Sequence, residues 1–349
     1  MLYKLSEIAS VIMGQSPKSS SYNSDMLGLP FLQGRTTFGD KYPYFDIWTT
    51  EWNKEANPND ILFTVRAPVG DLNIANTKIA IGRGIAAIRP KKVTTLYLYY
   101  LLQTNKHIFL TSSVGTIFDS INKDALESVY LDIHKEQDQH HIVNTIGSVD
   151  NLIENLTKQN EILMTLGISK INQFNNSYEK KSLNKIVKFE KGFEVGSSKY
   201  IEIYKKGLIN YLRVGDLLSL GNTYIDEKDS DKIAKFEDIL VAFDGSPGRN
   251  SIGLVGAYSS GIYNLKSTNN DKGLVYFEMN SDINKKIIDN HSQGTTILHA
   301  SKSINYLVYV DVDDNDKKVL NNYFYLILQN KKKINFLNKI KDNLLNKYF

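Results

Sequence analysis

The stretch Pro58-Asn59-Asp60-Ile61-Leu62-Phe63-Thr64-Val65-Arg66-Ala67-Pro68-Val69-Gly70 returns later in the chain as Phe236-Glu237-Asp238-Ile239-Leu240-Val241-Ala242-Phe243-Asp244-Gly245-Ser246-Pro247-Gly248. Asp-Ile-Leu, an apolar run and a closing glycine stay in register, with Asp60 and Asp238 178 positions apart. Around this core the echo continues. Leu5-Ser6-Glu7-Ile8 corresponds to Leu183-Asn184-Lys185-Ile186, and Pro30-Phe31-Leu32-Gln33 to Asn210-Tyr211-Leu212-Arg213. Ser113-Val114-Gly115-Thr116, with Lys123 and the run Val129 to Ile133, matches Ser292-Gln293-Gly294-Thr295, with Lys302 and Val308 to Val312. A period this long describes a duplicated domain, not a solenoid. Within a copy, the β-branched runs Ile61 to Val65 and Ile79 to Ile88, ended by Pro and Gly, predict buried strands. Tyr97 to Leu110 is apolar on a helical period, and Leu5 to Ala9 opens as helix or strand.

Each copy leads into a different pattern. Ile142, Ile146, Val149, Ile153, Leu156, Asn160 and Leu163 are spaced alternately four and three apart, the seam of a coiled coil. Leu320, Tyr323, Ile327, Asn330, Ile334, Leu337 and Leu344 repeat the pattern near the end. Each seam holds one asparagine, a residue type that fixes register at some cost in stability. Neither stripe can be buried alone, so the two helices are expected to pack on one another antiparallel.

The 349 residues allow two to three domains, and 42% hydrophobic residues with 23% charged is a globular composition. The absence of cysteine excludes disulfides, thiolate nucleophiles and Cys-type zinc sites, which suits a reducing cytoplasm. No leader-like start and no apolar run of about 18 residues is present, so a cytoplasmic protein without a membrane span is expected. A net charge of +4 hints only weakly at nucleic acid. The placement of arginine says more: Arg35, Arg66, Arg83 and Arg89 lie in the first copy, Arg213 and Arg249 in the second, and none in a long helix. Arginine's flat donor fork matches guanine edges and phosphates, though it also serves as loop filler. The lysine-rich end, with Lys331-Lys332-Lys333, reads first as a solvated helix face.

Enzyme signatures are missing. There is no Gly-x-x-x-x-Gly-Lys-Ser/Thr loop for a nucleoside triphosphate. No Pro-Pro pair permits the Asp/Asn-Pro-Pro-aromatic element of amino methyltransferases, and the Pro-Asp with Asp/Glu-x-Lys nuclease pattern is absent. His140 and His141 are adjacent on a helix and point to different faces, so no metal site is expected.

Taken together, the order of β-rich copy, long helix, β-rich copy and distal helix resembles the specificity (S) subunit of type I restriction-modification systems over essentially the whole chain. The local resemblance rests on Gly14-Gln15-Ser16-Pro17, Pro30 to Gly34, Asn59 to Gly70, Ile81-Gly82-Arg83-Gly84, Glu237 to Gly248 and Ser292 to Thr295. It implies an α+β fold in which two pseudo-repeated β-rich target recognition domains are joined by two long antiparallel coiled-coil helices. The expected parts are a first target recognition domain over 1–134, a central helix over 135–180, a second domain over 181–313 and a distal helix over 314–349. A subunit of this kind is not itself catalytic. Each domain would read one half of a bipartite target in double-stranded DNA. The helices would set the spacer and dock two modification (methyltransferase) subunits, to which restriction and motor subunits add. S-adenosylmethionine, ATP and Mg are expected on those partners and no cofactor on this chain. A helix of about 40 residues spans roughly 60 Å, at most about 17 base pairs.

Residue by residue, the expected DNA contacts are Gln15, Lys18, Gln33, Arg35, Arg66 and Arg83, then Ser197, Lys199, Arg213, Asp244, Arg249 and Asn250. Amide side chains suit adenine, arginine guanine, and aspartate the cytosine amino group. Asp244, aligned with Arg66, implies unlike half-sites, or else it caps the turn Gly245-Ser246-Pro247-Gly248. The recognition subunit of another bipartite restriction enzyme stays open as an alternative, as does a scaffold whose β domains bind protein or glycan. Salt separates these readings, because phosphate contacts weaken steeply with it.

Overall fold

The computed structural model describes residues 1–111, 120–294 and 298–349, so Ser113 to Thr116 and Thr295 of the repeated pair lie outside the described residues. The chain forms two units, Met1–Asn151 with Lys339–Phe349, and Leu152–Asn338.

In the first unit the order is β1 (Leu2–Lys4), α1 (Leu5–Ile8), β2 (Ala9–Met13), β3 (Tyr22–Asn23), β4 (Leu29–Leu32), β5 (Trp48–Thr49) and β6 (Glu55–Ala56). Then come β7 (Ile61–Thr64), β8 (Leu72–Ile74), β9 (Ile79–Ile81), β10 (Ile85–Pro90), α2 (Thr95–Thr104), α3 (Lys106–Thr111), α4 (Lys123–Ser128) and β11 (Tyr130–Asp132). The long α5 (Glu136–Ser177) starts in this unit and continues into the second. There follow β12 (Lys180–Ser182), β13 (Lys188–Lys191), β14 (Leu208–Leu212), β15 (Tyr224–Asp226), β16 (Ile233–Ala234), β17 (Ile239–Ala242) and β18 (Asn250–Ser251). The remainder is β19 (Gly256–Tyr258), β20 (Ile262–Lys266), α6 (Lys272–Met279), α7 (Asp282–Asn290), β21 (Val308–Val310) and α8 (Asp314–Tyr348).

The duplication is topological. One unit has a sheet in the order β2-β10-β7-β8, the other β13-β20-β17-β18. Beside it lies a second sheet built on a parallel pair, β4 with β9 or β14 with β19, flanked antiparallel by β6 or β16. The pairs β1-β11 and β12-β21 complete the match.

Strand β7 is buried on both faces, which explains why Ile61 to Thr64 reads as a continuous apolar run without alternation. Ile61 and Phe63 pack with Ile88, Tyr97 and Leu101 under the helices, while Leu62 packs with Leu32, Ile79 and Ile81 of the second sheet. In the other unit Ile239 and Val241 face Leu274, Phe277 and Phe324, whereas Leu240 and Ala242 face Leu212, Ala234 and Tyr258. Each such side chain contributes about 1.5–3 kcal/mol on burial. The run Ile79 to Ile88 is two strands, because Gly82-Arg83-Gly84 turns between β9 and β10, with the Ile85 N–H donating to Gly82 O at 3.0 Å.

The shared aspartates close the turns that enter β7 and β17. Asp60 Oδ2 accepts the Asn57 N–H at 2.8 Å and Asp238 Oδ2 the Lys235 N–H at 3.0 Å. Arg89 holds Asp60 with two hydrogen bonds of 2.9 and 2.7 Å, while Lys266 and Asn264, each 2.8 Å away, do this for Asp238. At the far ends, the Gly70 N–H donates to Thr64 O and that of Gly248 to Ala242 O, with φ of 90° and 83°. Glycine tolerates that left-handed backbone without penalty.

The long helices pack within each unit. In the first, Ile142 and Ile146 are buried with Leu345, and Leu344 packs at their edge. Asp150, buried, accepts from Tyr100 Oη at 2.6 Å and pairs with Lys341 at 2.7 Å, so a lysine occupies the seam between Leu337 and Leu344. In the second unit Leu320 and Ile327 are buried, and Leu163 and Tyr323 are half-buried against the same core. Leu156 is buried, while Val149, Ile153, Ile334 and Leu337 are half-buried. Asn330 is buried and its Nδ2 donates to Asn160 Oδ1 at 3.0 Å. Lys170 pairs with Asp316 at 2.8 Å, so within this unit rising numbers on α5 meet falling numbers on α8, an antiparallel pair. Phe324 and Leu328, off the predicted seam, are buried as well. Gly167 on α5 admits the Phe277 ring so closely that a Cβ there would lie 2.2 Å from it.

Candidate nucleic-acid interface

The site begins where three segments meet at the end of the β7–β10 pairing. The Val65 N–H donates to Gly84 O at 2.9 Å, which brings the residues after β7 against the Gly82-Arg83-Gly84 turn. The Gly82 N–H donates to Leu32 O at 2.8 Å, which places the segment after β4 alongside. Gln33, Arg35, Arg66 and Arg83 therefore line one cavity of about 120 Å³, although they lie as far as 50 positions apart in sequence. All four are exposed. Gln15 and Lys18 are exposed on the neighbouring segment, whose Gln15 N–H donates to Ile81 O at 2.9 Å, but they do not line the cavity. Ser16 Oγ accepts the Arg83 N–H at 3.2 Å and fixes the turn that presents Arg83.

Arg35 also faces a larger hollow of about 730 Å³. There Asp71 bridges two cations, Arg35 at 2.9 Å and Lys106. A phosphate oxygen is an acceptor of the same kind for the Arg35 guanidinium as the Asp71 carboxylate.

The second copy builds the same cradle from different side chains. The Phe243 N–H donates to Gly261 O at 3.1 Å, as Val65 does to Gly84. The Gly192 and Phe193 N–H groups donate to Ile262 O and Tyr258 O, as those of Gly14 and Gln15 do to Ile85 O and Ile81 O. The resulting cavity, about 510 Å³, is lined by Arg213, Asp244, Glu194 and Asp216. Arg213 is exposed, with its guanidinium 6.0 Å from the Tyr200 ring centre. Tyr200 Oη donates to Glu194 at 3.0 Å; burial and that hydrogen bond hold the phenol above its ordinary range, so it remains a donor.

Asp244 does not turn its carboxylate to the following turn. Oδ1 accepts from His299 Nδ1 at 2.8 Å, and the Ser246 N–H instead reaches the Asp244 backbone oxygen. The other expected residues scatter. Ser197 is exposed outside the cavity, and Lys199 pairs with Asp229 at 2.6 Å. Arg249 is half-buried and donates to Val214 O at 3.4 Å. Asn250 is held inside the fold: it donates to Asn280 at 3.0 Å and accepts from it at 3.1 Å.

Glu194, Asp216 and His299 escaped the sequence reading. Glu194 had a signal, since it stands 178 positions after Ser16, the offset that separates Asp60 from Asp238, but the residue types share nothing. Asp216 uses both oxygens on backbone, accepting from Arg213 at 2.7 Å and Gly221 at 2.9 Å. Among the described residues, no group of three or more His, Asp or Glu is placed to hold a metal ion, and no helix is long and apolar enough to cross a membrane.

Known proteins share this framework. Residues 1–164 match the type I restriction modification DNA specificity domain. A putative type I restriction enzyme MjaX specificity subunit of Methanocaldococcus jannaschii is 41% identical over 153 residues, 43% of this chain and 36% of that protein. The type I restriction enzyme MjaIX specificity subunit of the same organism is 34% identical over 111 residues, 31% and 26% of the two chains. The chain thus spans only about a quarter to a third of the length of the curated relatives it matches. The crystal structure of a type I restriction-modification S subunit from M. genitalium has the same fold, with a TM-score of 0.56 at 18% identity over 100% of this chain and 96% of that one. Residues 1–164 thus resemble the type I restriction modification DNA specificity domain, and the chain as a whole has the fold of a solved S subunit.

Proposed function

We propose that this chain selects the DNA sequence on which a type I restriction-modification complex acts, without performing the chemistry itself. One observation carries the reading: the same cradle of strands is built twice and lined differently, with Gln33, Arg35, Arg66 and Arg83 in one copy and Arg213 with Asp244 in the other. A scaffold serving one undivided target would have no reason to keep the frame and invert the lining. Each cavity therefore reads one half of a bipartite target, and exposed lysines such as Lys18 add the sequence-independent phosphate term. The long helices α5 and α8 act as spacer and as docking surface for two modification subunits, which hold S-adenosylmethionine, while ATP and Mg belong to restriction and motor subunits. The setting is cytoplasmic.

The experiment is co-purification with the modification subunit, followed by genome-wide mapping of methylated bases with and without this gene. A single split motif that vanishes with the gene supports the proposal. An unchanged methylation map, with no modification subunit bound, refutes it.

A further inference from the structure

We infer that the second-copy cavity reads a C·G base pair, with Asp244 accepting from the cytosine N4 amino group and Arg213 donating to guanine O6 and N7. The inference rests on the DNA-reading function proposed above and names what that cavity takes.

The two cavities share their backbone frame, so their linings can be compared position by position. Arg66 and Asp244 each follow the residue whose N–H reaches the glycine carbonyl, Gly84 O or Gly261 O. The first cavity contains no carboxylate, and its charged side chains are all guanidinium donors. The second sets one guanidinium, Arg213, beside three carboxylates, Glu194, Asp216 and Asp244. A carboxylate repels phosphate, so in a DNA groove it is satisfied only by an amino group, cytosine N4 or adenine N6.

The neighbouring groups decide which acid is available. Glu194 is occupied by Tyr200 at 3.0 Å and Ser260 at 3.2 Å, and Asp216 by two backbone N–H groups. Asp244 uses Oδ1 on His299 and has no partner for Oδ2 among the described residues. Arg213 is placed by the Tyr200 face and by a 3.8 Å approach of its Nε to Asp216. Its terminal nitrogens have no partner among the described residues and form a pre-oriented fork. That fork chooses between the two amino bases. The partner of cytosine presents two acceptors, O6 and N7, to a bidentate donor, whereas the thymine opposite adenine presents a single O4.

The test uses the full chain and duplex pools randomised in both halves, selected and sequenced at moderate salt, with Asp244→Asn, Arg213→Lys and Arg66→Ala beside the unmodified chain. Asn keeps the shape and still accepts from His299, so the variant folds with its cavity intact. The expected result is a split motif in which Asp244→Asn and Arg213→Lys relax one C·G position by about ten- to hundredfold. Arg66→Ala should disturb only the other half, which serves as the folding control. A motif untouched by Asp244→Asn, or relaxation at an A·T pair, overturns the inference while leaving DNA reading intact. No motif from any chain, with binding insensitive to salt, removes the DNA-reading function and this inference with it.

Discussion

The side chains of Asn160 and Asn330 meet across the helix pair of the second unit, with Nδ2 of Asn330 donating to Oδ1 of Asn160 at 3.0 Å and Asn330 buried. Two amides that meet in an apolar seam favour this register, and Asn330 Nδ2 also lies 3.4 Å from Gln159 Oε1. Asn330→Leu removes the donor to Asn160 Oδ1, whereas Asn160→Leu leaves Asn330 only Gln159 Oε1 at 3.4 Å, and each should cost about 1–3 kcal/mol. Changing both to Leu should recover or exceed the original stability while loosening the pairing. Urea denaturation of both single variants and the double variant tests this. A double variant as unstable as the sum of the singles would contradict it.

Gly167 gives a prediction in which two effects oppose. Ala is favoured over Gly inside a helix by about 1 kcal/mol. The new Cβ, however, would sit 2.2 Å from the ring of Phe277, which is fully buried and cannot swing away. Overpacking of this kind costs about 1–3 kcal/mol. Gly167→Ala should therefore lower the melting temperature, and a rise would show that α5 and α6 separate easily.

Glu278 makes stability depend on pH. It is buried on α6, where Oε1 accepts the Val310 N–H at 2.9 Å and Asn284 lies 3.4 Å from Oε2. Burial pushes its carboxyl up to about 7 from an ordinary 4.5. The folded state thus holds a proton that the unfolded chain has released, and its contribution is complete below about pH 4.5 and lost as pH rises to about 7. The loss should amount to a few kcal/mol. Relative to the original chain, Glu278→Gln should show a smaller fall in urea midpoint between pH 5 and pH 8. Parallel pH profiles would exclude Glu278 as the source.

Arg66 and Lys18 should separate base reading from phosphate attraction. Arg66→Ala is expected to cost about 1–3 kcal/mol in specific binding and to relax one base position. Lys18→Ala should weaken binding evenly across sequences and reduce the salt slope by about one. Titrations at several salt concentrations on matched and scrambled duplexes would expose an exchange of these roles.

Legibility followed the range of the interactions. The duplicated strands show in sequence because β7 and β17 are buried on both faces, so both copies had to keep the same apolar run. The long helices show because burying one stripe imposes a heptad spacing on the chain itself. Lys341 broke that spacing, since its partner Asp150 sits on the other long helix and leaves no local mark. In the site, Arg66 and Asp244 were visible as an aligned difference, but the His299 that holds Asp244 is 55 positions away. Asn250 looked like a surface amide, and only the fold reveals Asn280 opposite it. Such pairings are set by tertiary geometry, which neither periodicity nor composition records.

Asp60 and Arg66 flank one strand as Asp238 and Asp244 flank its counterpart. The upstream carboxylate closes a turn inside the protein, and the downstream residue borders a cavity about 13 Å further along the four-residue strand. The strand works as an insulated connector: one end is a fixed plug and the other an adjustable setting. A library varied at positions 66 and 244 can be screened for new preferences without a parallel search for folding, and an ancestral gene could diverge at those ends while its interior stayed as it was.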